Sequence, residues 1–139
     1  MKLNEAAREL IGNGVDATLV TLNPDGSPQV TVVWVALQST PDGDELVTAH
    51  LAEHKKVRNI RRDSRVALTI VSTGDAGKQM RPYLAIEGTA RIVDGGAPEL
   101  LKFLAQTLSD PAVFPPEGAP PGFVTHIHID KIGGIGPWL

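Results

Sequence analysis

The chain has 139 residues, enough to bury one hydrophobic core as a single domain. A formal charge of −3 argues against a general binder of nucleic acid or anionic membrane, since such domains carry a basic balance. Cysteine is absent, which excludes disulfides, thiolate metal sites and a thiol nucleophile.

Leu3, Ala6, Ala7, Leu10 and Ile11 recur at helical spacing, and Gly12 and Gly14 end that helix. This opening is charged and amphipathic with no long apolar run, so it reads as neither a signal peptide nor a membrane span. The expectation is a soluble, cytoplasmic domain covering 1–139. Residues 15–22 are rich in β-branched side chains and lead into Asn23-Pro24-Asp25-Gly26, a tight-turn sequence. With 27–37 they predict a hairpin. A second turn over 40–45 leads to a third strand at 46–51. The basic segment after it has helical spacing, with a strand at 66–72, a Gly-containing loop at 73–81 and a strand at 82–93.

Pro98 opens a helix whose inward positions are Leu100, Leu101, Leu104, Ala105 and Leu108. Residues 111–122 hold five of the eleven prolines and predict an irregular connection. A last strand at 123–130 runs into a glycine-rich tail containing Trp138, where flexibility is expected. Six short strands, few helices and no internal repeat predict a mainly β fold, a six-stranded antiparallel barrel with flanking helices.

Six of the 13 Lys and Arg residues fall within Lys55–Arg65. Successive helical residues lie 100° apart, which gives this run sides. Val57, Ile60 and Ser64 form the inward stripe, and Lys55, Arg58 and Arg62 face solvent. Lys56 and Asn59 border the stripe on one flank and Arg61 on the other. A run of this kind is ordinarily a solvated face, paired in part with Glu53 and Asp63. Nucleic-acid binding fits poorly, because none of the six aromatic residues lies nearby to stack on bases. The third reading is an anionic small molecule, most naturally a phosphate, held by lysine charge and asparagine donors at the seam between helix and barrel.

Elsewhere the chemistry is thin. His126 and His128 share one face of a strand, but spacing places no third metal ligand beside them, and a surface pair is expected. Gly133-Gly134-Ile135-Gly136 has no helix after it, so the dinucleotide-binding pattern fails its context. Ser27, Ser39, Ser64, Ser72 and Ser109 have no glycine elbow, and no carboxylate pair is suggestively spaced. No catalytic residue and no metal site are assigned. An anion-binding seam without a self-sufficient catalytic group points to a cofactor that carries the chemistry.

Four segments carry a resemblance: 17–35, 49–68, 87–93 and 130–138. The pattern Lys-x-Arg-Asn-x-Arg-Arg-Asp at Lys56–Asp63 is the most specific, and the hairpin Asn-Pro-Asp-Gly-Ser-Pro-Gln is next. Together they resemble the flavin/deazaflavin oxidoreductase superfamily, which has the split β-barrel of pyridoxamine phosphate oxidases. The chain is most similar there to the actinobacterial type-B reductases that use coenzyme F-420. The resemblance implies that Lys56 and Asn59 hold the coenzyme phosphate and that Lys55 steers its anionic tail. It places Gln29, Val30 and Thr31 along the deazaflavin ring, with His50 and Leu51 beside it. It implies a homodimer with coenzyme sites at the interface, approached from the partner by the loop of Lys78 and Met80, with Tyr83 and Trp138. His54 stands where some relatives carry arginine, and 111–122 has no counterpart. The activity implied is hydride transfer to an electron-poor conjugated molecule, with an FMN-binding protein or a deazaflavin carrier as alternatives.

Overall fold

Two turns set the direction of the first three strands. In the computed structural model, which describes residues 1–73 and 79–139, Asp25 Oδ1 accepts the Ser27 N–H at 3.0 Å and closes the first turn. It joins β1, Val15–Leu22, to β2, Pro28–Thr40. The second turn joins β2 to β3, Gly43–His50. After helix α2, Lys55–Arg62, come β4, Arg65–Val71, and β5, Tyr83–Asp94. Helix α3, Ala97–Leu108, and β6, Phe123–Ile135, complete the chain that begins with α1, Glu5–Ile11.

All pairings are antiparallel and close a barrel in the order β1-β2-β3-β6-β5-β4, the expected six-stranded architecture. The interior comes from strict alternation: Leu19, Val35, Leu46, Ile70, Leu84, Ile127 and Ile129 are each at most 1% exposed. Helix α1 starts at Asn4, whose side chain accepts the Ala7 N–H, and buries Ala7 and Ile11. Buried Asp44 ties α1 to the β2–β3 turn by accepting from the Leu3 N–H at 2.8 Å and Arg8 Nη1 at 2.6 Å. Helix α2 packs against β1 and β5 and buries Val57 and Ile60, while α3 packs Leu104 outside the barrel on Ala36, Val47 and Val124.

Two expectations change. Ser64 is exposed, because α2 stops at Arg62 and Asp63 is extended, which breaks the helical period before the stripe reaches it. The glycine-rich tail is not a loose end. Strand β6 runs through it to Ile135, and Gly134 pairs with Leu84 at φ +102°, where any Cβ would overlap the Tyr83 carbonyl. Trp138 is 5% exposed in the main core, and its indole N–H donates to the Tyr83 carbonyl at 2.9 Å.

Candidate functional site

A gap opens where β2 and β3 part. Strand β2 pairs with β1 from Pro28 to Val35, but with β3 only from Ala36 to Thr40. Before Ala36 its second edge has no strand neighbour among the described residues, so alternate N–H and C=O groups there lack ladder partners. A cavity of about 290 Å³ fills the gap, with Val32, Val33 and Trp34 as one wall and Thr48 to Leu51 as the other. Its polar lining includes His54 and Lys56, and its apolar lining includes Leu101 and Phe114.

The charge distribution in the polar lining is unusual. Lys56 is half-buried, and burial lowers the pKa of its ammonium, with no carboxylate among the described residues acting against that shift. His50 is 4% exposed and its Nε2 lies 2.9 Å from Thr125 Oγ1. Burial first, then the charges of Lys56 and His54, push its pKa down to about 3, so the imidazole is neutral at physiological pH. The cavity therefore presents a partly desolvated cation beside a neutral histidine, an arrangement suited to an anion.

The other arginines of the basic run are committed within the chain. Arg58 donates to the Glu53 carbonyl, Arg61 bridges Glu53 and Asp94, and Arg65 pairs with Asp63. Arg62, expected on the solvated face, turns back to donate to the Leu22 carbonyl and, at 3.3 Å, to Asn59 Oδ1. Lys55 is exposed at the start of the helix.

The residues expected at the site divide into groups. His50, Leu51 and Lys56 line the cavity together. Asn59 does not join them: it is 1% exposed, and its amide donates to Thr21 Oγ1 and Asn23 Oδ1, each at 3.1 Å, and to Gln29 Oε1 at 3.3 Å. Asn59 and Gln29 thus form a buried latch between α2 and the first hairpin. Val30 lies on the outer face of the barrel, 61% exposed, and Met80 is 69% exposed. Thr31 points inward, with a buried hydroxyl that has no hydrogen-bond partner. Trp138 belongs to the core, and Lys78 lies outside the described residues. The cavity wall on β2 is Val32 to Trp34, three residues beyond the expected stretch, because its position depends on where the β2–β3 ladder stops. Trp34, Leu101 and Phe114 had no signal as site residues, since only tertiary packing brings α3 and the proline-rich segment to β2.

A second concavity of about 550 Å³ lies on the outer barrel face, bordered by Val20, Val30, Ala67 and Ala85 and by Lys131 and Glu87 at its rim. Val32, 69% exposed, borders the His50 cavity and also a neighbouring depression of this face. His126 is held by Glu45 Oε1 at 2.9 Å, with Arg91 on the same carboxylate, and His128 lies 3.5 Å from Asp130. Among the described residues no helix is long and apolar enough to cross a membrane.

The family model described as pyridoxamine 5'-phosphate oxidase matches residues 3–135. Among solved structures, an F-420 reductase superposes with a TM-score of 0.74 at 22% identity, covering 91% of this chain and 94% of that one. A conserved hypothetical protein of Mycobacterium tuberculosis gives 0.65 at 24% identity, covering 95% and 84%. The heme storage protein HutZ of Vibrio cholerae gives 0.64 at 15%, covering 98% and 96%. At these identities the likeness is one of fold. No curated protein matches the sequence.

Proposed function

The chain belongs to the pyridoxamine 5'-phosphate oxidase family, and from that premise we propose that it is a coenzyme F-420-dependent reductase acting on electron-poor conjugated small molecules. The observation that carries this reading is Lys56, a half-buried cation without a carboxylate partner among the described residues, lining a cavity walled by an unpaired strand edge. The residues present fit a flat group bearing a phosphate. Lys56 suits the phosphate, and the N–H and C=O groups of β2 without ladder partners suit the polar edge of a ring. When bound, the coenzyme supplies the hydride.

The chain's own part is binding, orientation and exclusion of water. Lys55, exposed ahead of Lys56, steers an anionic tail by long-range attraction. Trp34, Leu101 and Phe114 keep part of the cavity lining apolar. His50 is not the proton donor at neutral pH, because almost none of it carries the extra proton there. Solvent fills that role. The cavity is at the lower end of the usual range for ligand pockets, about 300–1,000 Å³. A long coenzyme would therefore extend beyond it, over Val32.

The outer face of β1, β2 and β4 carries Val20, Val30, Val32 and Val71, and the last three are at least half exposed. A homodimer formed on this face would place a second chain beside each cavity. Light scattering is expected to give the mass of a dimer, and Val30→Glu the mass of a monomer. A monomeric wild type would rule this arrangement out.

The function itself is tested by titrating the purified protein with F-420 and with FMN, followed by fluorescence. Micromolar or tighter binding of F-420, with FMN weaker, is the expected result. Tight FMN binding with none for F-420 overturns the reading in favour of a flavin protein. Binding of F-420 without reduction of any member of an enone panel would identify a carrier.

A further inference from the structure

Residues 109–122, left without a role so far, run from the end of α3 back to the barrel. The segment is fixed at both ends. Asp110 accepts from the Ala112 and Phe114 N–H groups, each at 2.9 Å. At the other end the carbonyls of Pro121 and Gly122 accept from the Ala97 N–H at 3.0 Å and the Gly95 N–H at 2.7 Å. Gly122, at φ +61°, passes so close to the β3 exit that a Cβ there would overlap the His50 carbonyl. Five prolines lower the entropy lost in holding this path. Val113 stays 71% exposed, while Phe114 beside it turns inward and meets Trp34 edge to face, with ring centroids 5.5 Å apart.

The strap thus delivers one aromatic ring to the lining of the cavity that also holds Lys56. A cation and two crossed aromatic rings lining one cavity match a ligand with an anionic group and a flat, apolar body. We infer that Phe114 and Trp34 form an aromatic corner that receives the conjugated ring of the ligand, and that this corner is a specificity determinant for which ring systems the protein accepts. The inference rests on the coenzyme reading above for the identity of that ring. It goes further in assigning the ring's selection to the proline-rich strap.

The test follows quenching of Trp34 fluorescence as F-420 and riboflavin, a flat ring without phosphate, are titrated into the full-length protein. Trp34→Phe identifies the Trp34 share of the signal, because Trp138 is buried in the core and does not line the cavity. Phe114→Ala is expected to weaken ring binding about tenfold. Phe114→Tyr should restore it and Phe114→Leu should not, whereas a strap that merely needs an apolar plug would be rescued by leucine. Thermal melting of each variant excludes loss of fold as the cause. If F-420 binds wild type and Phe114→Ala equally well, the aromatic corner is wrong and the coenzyme reading stands. If F-420 and FMN fail to bind but riboflavin quenches Trp34 in a Phe114-dependent way, the coenzyme reading falls and the corner stands. If no flat ring quenches Trp34, the corner is overturned.

Discussion

Lys56→Gln is expected to weaken F-420 binding by about 10- to 100-fold, the range given by losing a charge-assisted hydrogen bond to a phosphate. Lys56 is partly desolvated and burial is the only influence on its pKa, so in the free protein its charge is held at a cost. A bound phosphate would offset that cost, which makes the interaction stronger than one at an exposed lysine. The same reasoning predicts that the ligand-free variant is as stable as wild type or slightly more so. Arg58→Ala provides the control, because Arg58 spends its guanidinium on the Glu53 carbonyl at the surface, and it should leave affinity within about twofold. Lys55→Ala should cost a few-fold at low salt, and the loss should fade as salt screens an exposed charge. Unchanged affinity in Lys56→Gln, measured by fluorescence titration, would remove the basis for placing a phosphate there.

How far this site was legible in the sequence depends on which interactions are local. The separation of Lys56 from Lys55 and Arg58 follows from 100° steps along one helix, and the structure keeps it. The fate of Arg62 does not follow, because its acceptor, the Leu22 carbonyl, lies forty residues earlier in the chain. Asn59 turns to other partners for a related reason. Its flank was correct, but the nearest polar groups on that flank belong to the first hairpin, and they use its amide completely.

The strands show the same division. The turn signal at Asn23–Gly26 placed β2 as the second arm of a hairpin. The point where β2 leaves β3 is set by a pairing register that no local pattern encodes, which is why the cavity wall falls at Val32–Trp34. The glycine run read as a loose tail because glycine is a poor strand former. Its place in β6 is explained only by the Tyr83 backbone packed against it.

The other large effect concerns pH. As pH falls from about 6.5 toward about 3, stability is expected to drop by about 1.4 kcal/mol per unit on account of His50. The sign follows from proton counting: in that window the unfolded chain binds a proton that folded His50 refuses, so acid favours the unfolded state. The contribution is fully present above 6.5 and is lost as pH descends to the folded value. Between pH 7.5 and 5.0 this amounts to about 2 kcal/mol, measurable by urea unfolding. The lowered carboxylates, Asp25, Asp44, Glu45 and Asp63, release their share only at lower pH, below their ordinary values near 4. His50→Gln keeps a side chain able to bond Thr125 but cannot titrate, so its stability should lose much less over the same interval. An equal loss in wild type and His50→Gln would reject His50 as the source. Because the Lys56 charge is a secondary part of what excludes the proton, after burial, Lys56→Gln, or an anion bound against Lys56, should raise the pH at which the dependence levels off. The pH profile of stability therefore reports on occupancy of the cavity beside Lys56 without any assay of turnover.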